Sequence, residues 1–298
     1  MRAPKIKNIK RELSYELFLL PVLIAYFVFF VIPVVSSFAY SFTDWNKFSQ
    51  SVHFIGIKNY INLFGDQEIL TGIKNSLIVA ALLTFFQNII GVPLAIILDR
   101  PLKSRNMLRA IFFSPAVLST LIVGFLWSYL MSSADYAVLN RILNLVGIHA
   151  VNWLGDSEIA LYSVIATQVW QWTGWVMIIY IANLQSIPQE LYEAAKIDGA
   201  SGWKTFTHIT MPLLYPAASV CLVTGLVGNL KVFDIIFALT QGGPGGATDT
   251  ILTVLIKRGT SEGSFGYASA FGMVFLILVL LITGIVMKFL KKWGDSLS

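Results

Sequence analysis

Six runs of about twenty predominantly apolar residues, at 16–42, 74–98, 108–131, 159–184, 208–230 and 267–290, dominate this chain. Each is long enough, as an α-helix rising about 1.5 Å per residue, to cross a hydrocarbon layer about 30 Å thick. Inside lipid every backbone N–H and C=O must find a partner within the protein, so runs of this length read as spanning helices. Composition leaves little room for anything else. Only 12% of the 298 residues are charged, where a soluble domain carries about 25%. The expected class is an all-α integral membrane protein with six transmembrane helices.

The first run follows a basic start, "MRAPKIKNIKRELSYELF", which is similar to a secretory signal. Its apolar core exceeds the usual 7–15 residues and no small-x-small cleavage site follows, so an uncleaved first span is expected. Lysine and arginine then set the orientation, because cytoplasmic segments retain the positive excess. With the N-terminus inside, fourteen of the twenty-one Lys and Arg residues fall on the cytoplasmic side, among them Arg100, Lys103, Arg105, Arg109, Lys196 and Lys204. Both termini are thus expected in the cytoplasm. The net charge of +5 belongs to these flanks, with no separate basic patch for nucleic acid.

The segments between the runs differ in kind. Segment 43–73 mixes aromatic and polar residues and suits short helices at the outer surface. Segment 231–266 contains "LTQGGPGGATDT", whose glycines around Pro244 forbid a continuous helix and predict a folded external loop. Prolines at 21, 33, 93, 115, 212 and 216 interrupt spans, each freeing a carbonyl that neighbours or water must satisfy. Cys221 is a single cysteine within an apolar run, which excludes an internal disulfide and a thiolate metal site.

The polar interlude "EAAKIDGASGWKTFTHITMPLL" at 193–214 stands between the fourth and fifth runs, on the cytoplasmic side. Upstream, Ser186 is a plausible N-cap, with Pro188, Gln189 and Glu190 in the first turn of a short helix. Gly199 offers positive φ to end that helix, and a second helix starts near Ser201. The resulting protrusion exposes Glu193 and Asp198 and suits a groove on a soluble partner. A phosphate-binding loop is excluded: in "GASGWKT" the glycines are three apart and Trp203 separates Gly202 from Lys204. No catalytic residue and no metal site is expected. His53, His149 and His208 lie in three separate loops or ends, and neither a His-x3-His nor a Glu-x2-His pair occurs.

Glu193-Ala194-Ala195, three residues, Gly199, nine residues, Ile209, one residue and Met211-Pro212 closely resemble the E-A-A-x3-G-x9-I-x-L-P signature of ABC importer permeases. Met211 is the one departure, an apolar replacement for leucine. The stretches "FIGIKNYINLF", "LQSIPQELYEAAKIDGAS" and "FDIIFALTQGGPGGATDTILTVLIKRGT" look like the carbohydrate-uptake branch, which includes maltose, glycerol-phosphate and oligosaccharide importers. The basic tail running straight into the first span resembles the first permease of the usual pair. The maltose-type member carries a large domain between its third and fourth spans; here that loop, 132–158, is too short for one.

The resemblance implies a type I ABC importer permease fold in the bacterial cytoplasmic (inner) membrane, multi-pass. It implies a second homologous permease, two ATP-binding subunits, an extracytoplasmic sugar-binding protein and a sugar substrate as partners, besides membrane lipid. This chain would bind no cofactor, ATP and Mg being used by the partner ATPase. Glu193, Ala194, Ala195, Asp198 and Gly199 would couple it to that ATPase. The implied organisation is a basic tail at 1–15, a first transmembrane helix with its external loop at 16–72, and a transmembrane domain at 73–290. A coupling helix at about 188–205 lies within that domain, and a cytoplasmic tail at 291–298 follows.

Polar groups in a span are costly and normally face an interior. The fourth run supplies Gln168, Gln171, Trp172 and Trp175, the fifth Asn229, with Lys231 and Asp234 just beyond. Aromatic faces stack on sugar C–H faces while amides pair hydroxyls, so Trp172, Trp175, Gln171, Asn229 and Asp234 are the expected substrate path. By register within the resemblance, Trp175 and Asn229 fall on contact positions of the maltose-type permease. A plainer reading makes the tryptophans interfacial anchors and Lys231–Asp234 a surface ion pair. The rival classes are an importer permease for a non-sugar solute, an ion-coupled secondary transporter, an intramembrane hydrolase and a channel. A secondary transporter would need buried carboxylates in several spans, which the first four lack in their middles, or paired repeats with broken helices.

Overall fold

The computed structural model describes residues 18–134 and 137–296. The basic tail at 1–15 and the first residues of the first span lie outside the described residues. The described chain is helical and divides into two compact units, residues to Gly65 with Ile256–Phe275, and Asp66–Leu255 with the residues from Leu276.

In the first unit, helix α1 (Phe18–Tyr40) is long and apolar enough to cross a membrane, and none of its apolar centre is buried. A helix apolar all round without protein cover suits lipid or another chain. A π-helical turn at Phe27–Val31 leads into Pro33. Pro33 lacks an N–H and its ring crowds the carbonyl four residues back, so a wider turn just upstream absorbs the misfit. Beyond α1 the backbone folds back with Thr43 bridging Phe54. Asn59, on short helix α2 (Lys58–Leu63), donates its amide to the carbonyls of Ser41 and Thr43, both at 2.9 Å. Asp44 accepts from the His53 backbone N–H at 2.8 Å. That bond holds the Asp44 carboxyl below its ordinary range. Its folded pKa being depressed, its contribution is present at neutral pH and is lost as pH falls through the carboxylate range.

The second unit contains α3 (Gln67–Asp99), α4 (Arg105–Val117), α5 (Thr120–Leu130), α6 (Val138–Leu145) and α7 (Ala160–Leu184). Helices α8 (Gln189–Ile197), α9 (Gly202–Leu213), α10 (Tyr215–Asn229), α11 (Asp234–Leu239) and α12 (Ile251–Ile256) follow. The last helix, α13 (Phe265–Asp295), contributes its C-terminal part. Asp66 caps α3 by accepting from the N–H groups of Glu68 and Ile69.

Helix α7 is the hub. Its Val176, Met177, Tyr180, Ile181 and Leu184 pack with Ala95 and Leu98 of α3 and with Leu214, Ala217, Ala218 and Cys221 beside α10. Towards its other end Val164 joins Val123 of α5 and Ile235, Ile236 and Leu239 of α11. Small residues let the helices approach closely. A Cβ on Gly174 would collide with the Phe112 carbonyl of α4, and one on Gly91 of α3 would meet the Val176 side chain at 2.9 Å.

By length and apolarity, α3 and α13 join α1 as single helices able to span a membrane. The α4–α5 pair, bent by 98°, and the α9–α10 pair, bent by 59°, each qualify when taken together. The runs at 108–131 and 208–230, each expected as one span interrupted by proline, are both broken in the structure. Pro115 sits three residues before the first break at Leu118, and Pro216 just after the second at Leu214. Helix α7, with 25 residues, is about 37 Å long, but its centre is too polar for the apolarity criterion that the others meet.

Replacing Gly174 by Ala is expected to lower stability by about 1–3 kcal/mol through overpacking against fixed backbone. Gly202→Ala, where the new methyl meets nothing within 4 Å, serves as the control. Thermal unfolding in detergent reads both; an unchanged midpoint for Gly174→Ala would contradict the close α4–α7 crossing.

Candidate functional site

The polar centre of α7 faces a cavity of about 290 Å³ enclosed with α3, α5, α10 and the segment leading into α11. Trp172 and Trp175 line it from α7, with Gln168 between the tryptophans and the helix start. Thr224 and Asn229 line it from α10, and Lys231, Phe233 and Asp234 from the segment that follows. Four of the five path residues expected from sequence, Trp172, Trp175, Asn229 and Asp234, therefore meet around one space. No ion pair joins Lys231 to Asp234, and both side chains are exposed.

Gln171 is absent from that lining. It is fully buried and donates its Nε2 to the Leu118 carbonyl at 3.2 Å and to the Thr120 hydroxyl at 3.5 Å. Leu118 is where α4 breaks from α5, so Gln171 satisfies a carbonyl that the bend frees. Its polarity serves the break.

The cavity also holds Gln87 and Thr120, which the sequence reading did not select, together with Thr224 and Phe233. Gln87 lies on α3 and is 3% exposed. The Asn229 Nδ2 donates to the Thr84 hydroxyl at 3.1 Å and to the Gln87 Oε1 at 3.4 Å, clamping α10 to α3. That spends the donors of Asn229 and leaves its Oδ1 as acceptor. The Gln87 Nε2 has no hydrogen-bond partner, a deficit worth about 1–3 kcal/mol when buried. The signal for these residues was present: "TFFQN" at 84–88 places a hydroxyl and two amides within an apolar run.

The second feature is the element joining α7 to α10. The Ser186 hydroxyl does not cap α8; it donates backwards to the Asn183 carbonyl at 2.7 Å, and Pro188 occupies the N-cap position. Proline pre-sets φ there and has no N–H to leave unpaired. The C-terminus closes as the glycine predicts: Gly199 adopts φ 69°, and Ala200 donates its N–H to the Ala195 carbonyl at 2.9 Å. Ser201 then caps α9, accepting from the Lys204 N–H at 3.3 Å.

Glu193, Ala194, Asp198 and Gly199 are exposed on this element while Ala195 is buried. Glu193 accepts from the Gln189 amide at 3.1 Å. Leu191, Ile197 and Trp203 are exposed beside them, Ile197 at 87% and Trp203 at 72%. Apolar side chains grouped on a polar protrusion mark a contact surface. Behind it, hydrogen bonds brace the element internally and hold the flanking helices together. Tyr192 shares a hydrogen bond with Thr210 at 3.3 Å, Ala217 donates its N–H to the Asn183 Oδ1 at 3.2 Å, and Tyr215 donates to the Leu290 carbonyl at 2.9 Å. These bonds tie α8 to α9, the end of α7 to α10, and the start of α10 to α13; α7 and α10 are the two helices that supply most of the cavity wall.

Residues 87–296 match the profile of the binding-protein-dependent transport system inner membrane component family. The trehalose/maltose transport system permease protein MalF of Thermococcus litoralis is 36% identical over 284 residues, covering 95% of each chain. A probable starch degradation products transport system permease protein, AmyD of Thermoanaerobacterium thermosulfurigenes, is 32% identical over 293 residues, covering 97% of this chain and 98% of that one. Among solved structures, a bacterial ABC transporter involved in import of the acidic polysaccharide alginate has a chain of 27% identity that superimposes with TM-score 0.84, covering 96% of this chain and 98% of that one. A bacterial alginate ABC transporter in complex with alginate pentasaccharide-bound periplasmic protein has a chain that superimposes with TM-score 0.85. The helical architecture, the broken spans and these matches together place the chain in the family of binding-protein-dependent transport system inner membrane components.

Proposed function

We propose that this chain is the permease subunit of an ATP-driven sugar importer, lining the translocation path and coupled through α8 and α9 to a cytoplasmic ATPase. The observation that carries the reading is continuity: the exposed Glu193–Gly199 element lies in the chain between two helices that wall one polar, aromatic cavity. The names of the relatives, which concern trehalose, maltose and starch degradation products, support a sugar as the solute. Cavity chemistry agrees, since stacked indoles and neutral amides and hydroxyls suit sugar faces and hydroxyl rims.

Six crossings follow if α7 spans together with the three single helices and the two bent pairs. The lysine and arginine balance then puts both termini and the α8–α9 element in the cytoplasm. In this reading Glu193, Ala194, Ala195, Asp198 and Gly199 form the coupling surface, and Trp172, Trp175, Asn229 and Asp234 form the path, with Gln171 supporting the α4–α5 break at its edge. A second permease completes the path, two ATPase subunits hold ATP and Mg, and a sugar-binding protein delivers solute from outside the bacterial membrane. Coupling requires only that ATP binding favour one of two bundle conformations over the other.

Affinity purification from the native host in mild detergent, with mass spectrometry, tests the assembly. The expected result is recovery of a second permease and a Walker-motif ATPase, with the ATPase lost from Glu193→Lys. Gly199→Val is expected to weaken ATPase capture as well, because a branched residue at φ 69° costs about 1–2 kcal/mol and distorts the turn. Purification of the chain without any ATPase would overturn the importer reading.

A further inference from the structure

We infer that Gln87 is a specificity-determining residue of the path, its side-chain amide donating to an oxygen of the passing solute. The inference rests on the sugar-importer reading above and deepens it with a residue on a third helix.

Gln87 lines the same cavity as Trp172, Trp175 and Asn229. It is 97% buried by its 3% exposure, and its Nε2 meets no acceptor on the protein. An amide of the cavity lining whose Nε2 is itself covered, with both N–H groups unused, is a donor for a partner that reaches it when the wall moves. Its orientation is fixed from behind, because the Oε1 accepts from the Asn229 Nδ2, itself held by the Thr84 hydroxyl. The result is a directional pair. Gln87 offers donors, and Asn229, its own donors spent, offers the Oδ1 acceptor. A sugar hydroxyl can serve both groups, donating to Asn229 and accepting from Gln87, and neighbouring hydroxyls can divide the two roles. An apolar solute could satisfy neither, and a carboxylate could accept from Gln87 but would face the Asn229 oxygen.

The arrangement also links selection to movement. Asn229 ends α10, the helix continuous through the Leu214 bend with the α8–α9 element. When that element shifts, Asn229 moves relative to α3, and the clamp that orients Gln87 opens or closes with it. Recognition by Gln87 is therefore a property of one conformation of the bundle.

The test uses the assembled importer with its second permease, ATPase and binding protein in proteoliposomes. ATP-driven uptake is measured with maltose, trehalose, maltotriose and arabinotriose at saturating binding protein, comparing wild type, Gln87→Met and Thr84→Val. Loss of one neutral hydrogen bond predicts about a tenfold fall for those sugars whose hydroxyl meets Gln87. Gln87→Met is thus expected to change the ratio of variant to wild-type rate unequally across the four sugars. Thr84→Val, which loosens the clamp and keeps the donor, is expected to scale all rates alike. Equal ratios across the panel for Gln87→Met, in a complex that still co-purifies with its partners, would overturn the assignment and leave the sugar reading standing. No uptake of any of the four by wild type would overturn the sugar reading, and the role of Gln87 with it.

Discussion

The polar middle of α7 cannot face lipid, and most of the second unit is arranged around that constraint. Unpaired amides in hydrocarbon cost several kcal/mol each, so Gln168 and Gln171 must be covered by protein, and both are nearly or fully buried. Covering them draws α3, α4, α5 and α10 onto one helix. Gly91 and Gly174 make the approach sterically possible, because a methyl at either position would strike a neighbouring helix. What the surrounding helices do not fill is left as the cavity, lined by the groups that prefer a polar partner to a packed one.

The breaks belong to the same economy of backbone groups. A straight helix through 105–130 would leave no loose carbonyl for Gln171. The break at Leu118 supplies one, and the amide turns inward to take it. A comparable bend at Leu214 sets α9 at 59° to α10, so that the α8–α9 element projects while α10 continues in the bundle. The hydrogen bonds of Tyr192, Asn183 and Tyr215 stiffen this corner. In the proposed importer, movement at the exposed Ile197 and Trp203 surface would be conveyed by packed helices and not absorbed in a slack loop.

Period and length made the helices legible, since twenty apolar residues have few fates, and Gly199 was legible because its turn needs positive φ. The spacing from Glu193 to Gly199 predicted a short helix closed by a glycine turn, and the structure has that exposed element. The bends were visible only as prolines, because a proline in a span is compatible with a mild kink or a full break, and neighbours decide which. Pro93 lies within unbroken α3, whereas Pro115 precedes a 98° turn. Ser186 misled because its hydroxyl had a nearer acceptor in Asn183. Gln171 and Gln87 show the harder limit. Both are amides inside spans, and residue type alone could not say that one closes a helix break while the other lines the cavity.

The central claim is that the cavity lined by Thr224, Trp175 and Asn229 changes the side to which it opens under control of the partner ATPase. A single cysteine at Thr224, an exposed lining position, introduced with buried Cys221 replaced by alanine, allows that to be read directly. A membrane-impermeant thiol reagent is added from each side of the assembled complex in vesicles, with and without ATP. The account predicts labelling from the cytoplasmic side without ATP and from the outer side when ATP and the loaded binding protein are present. Labelling whose side does not depend on ATP would contradict it.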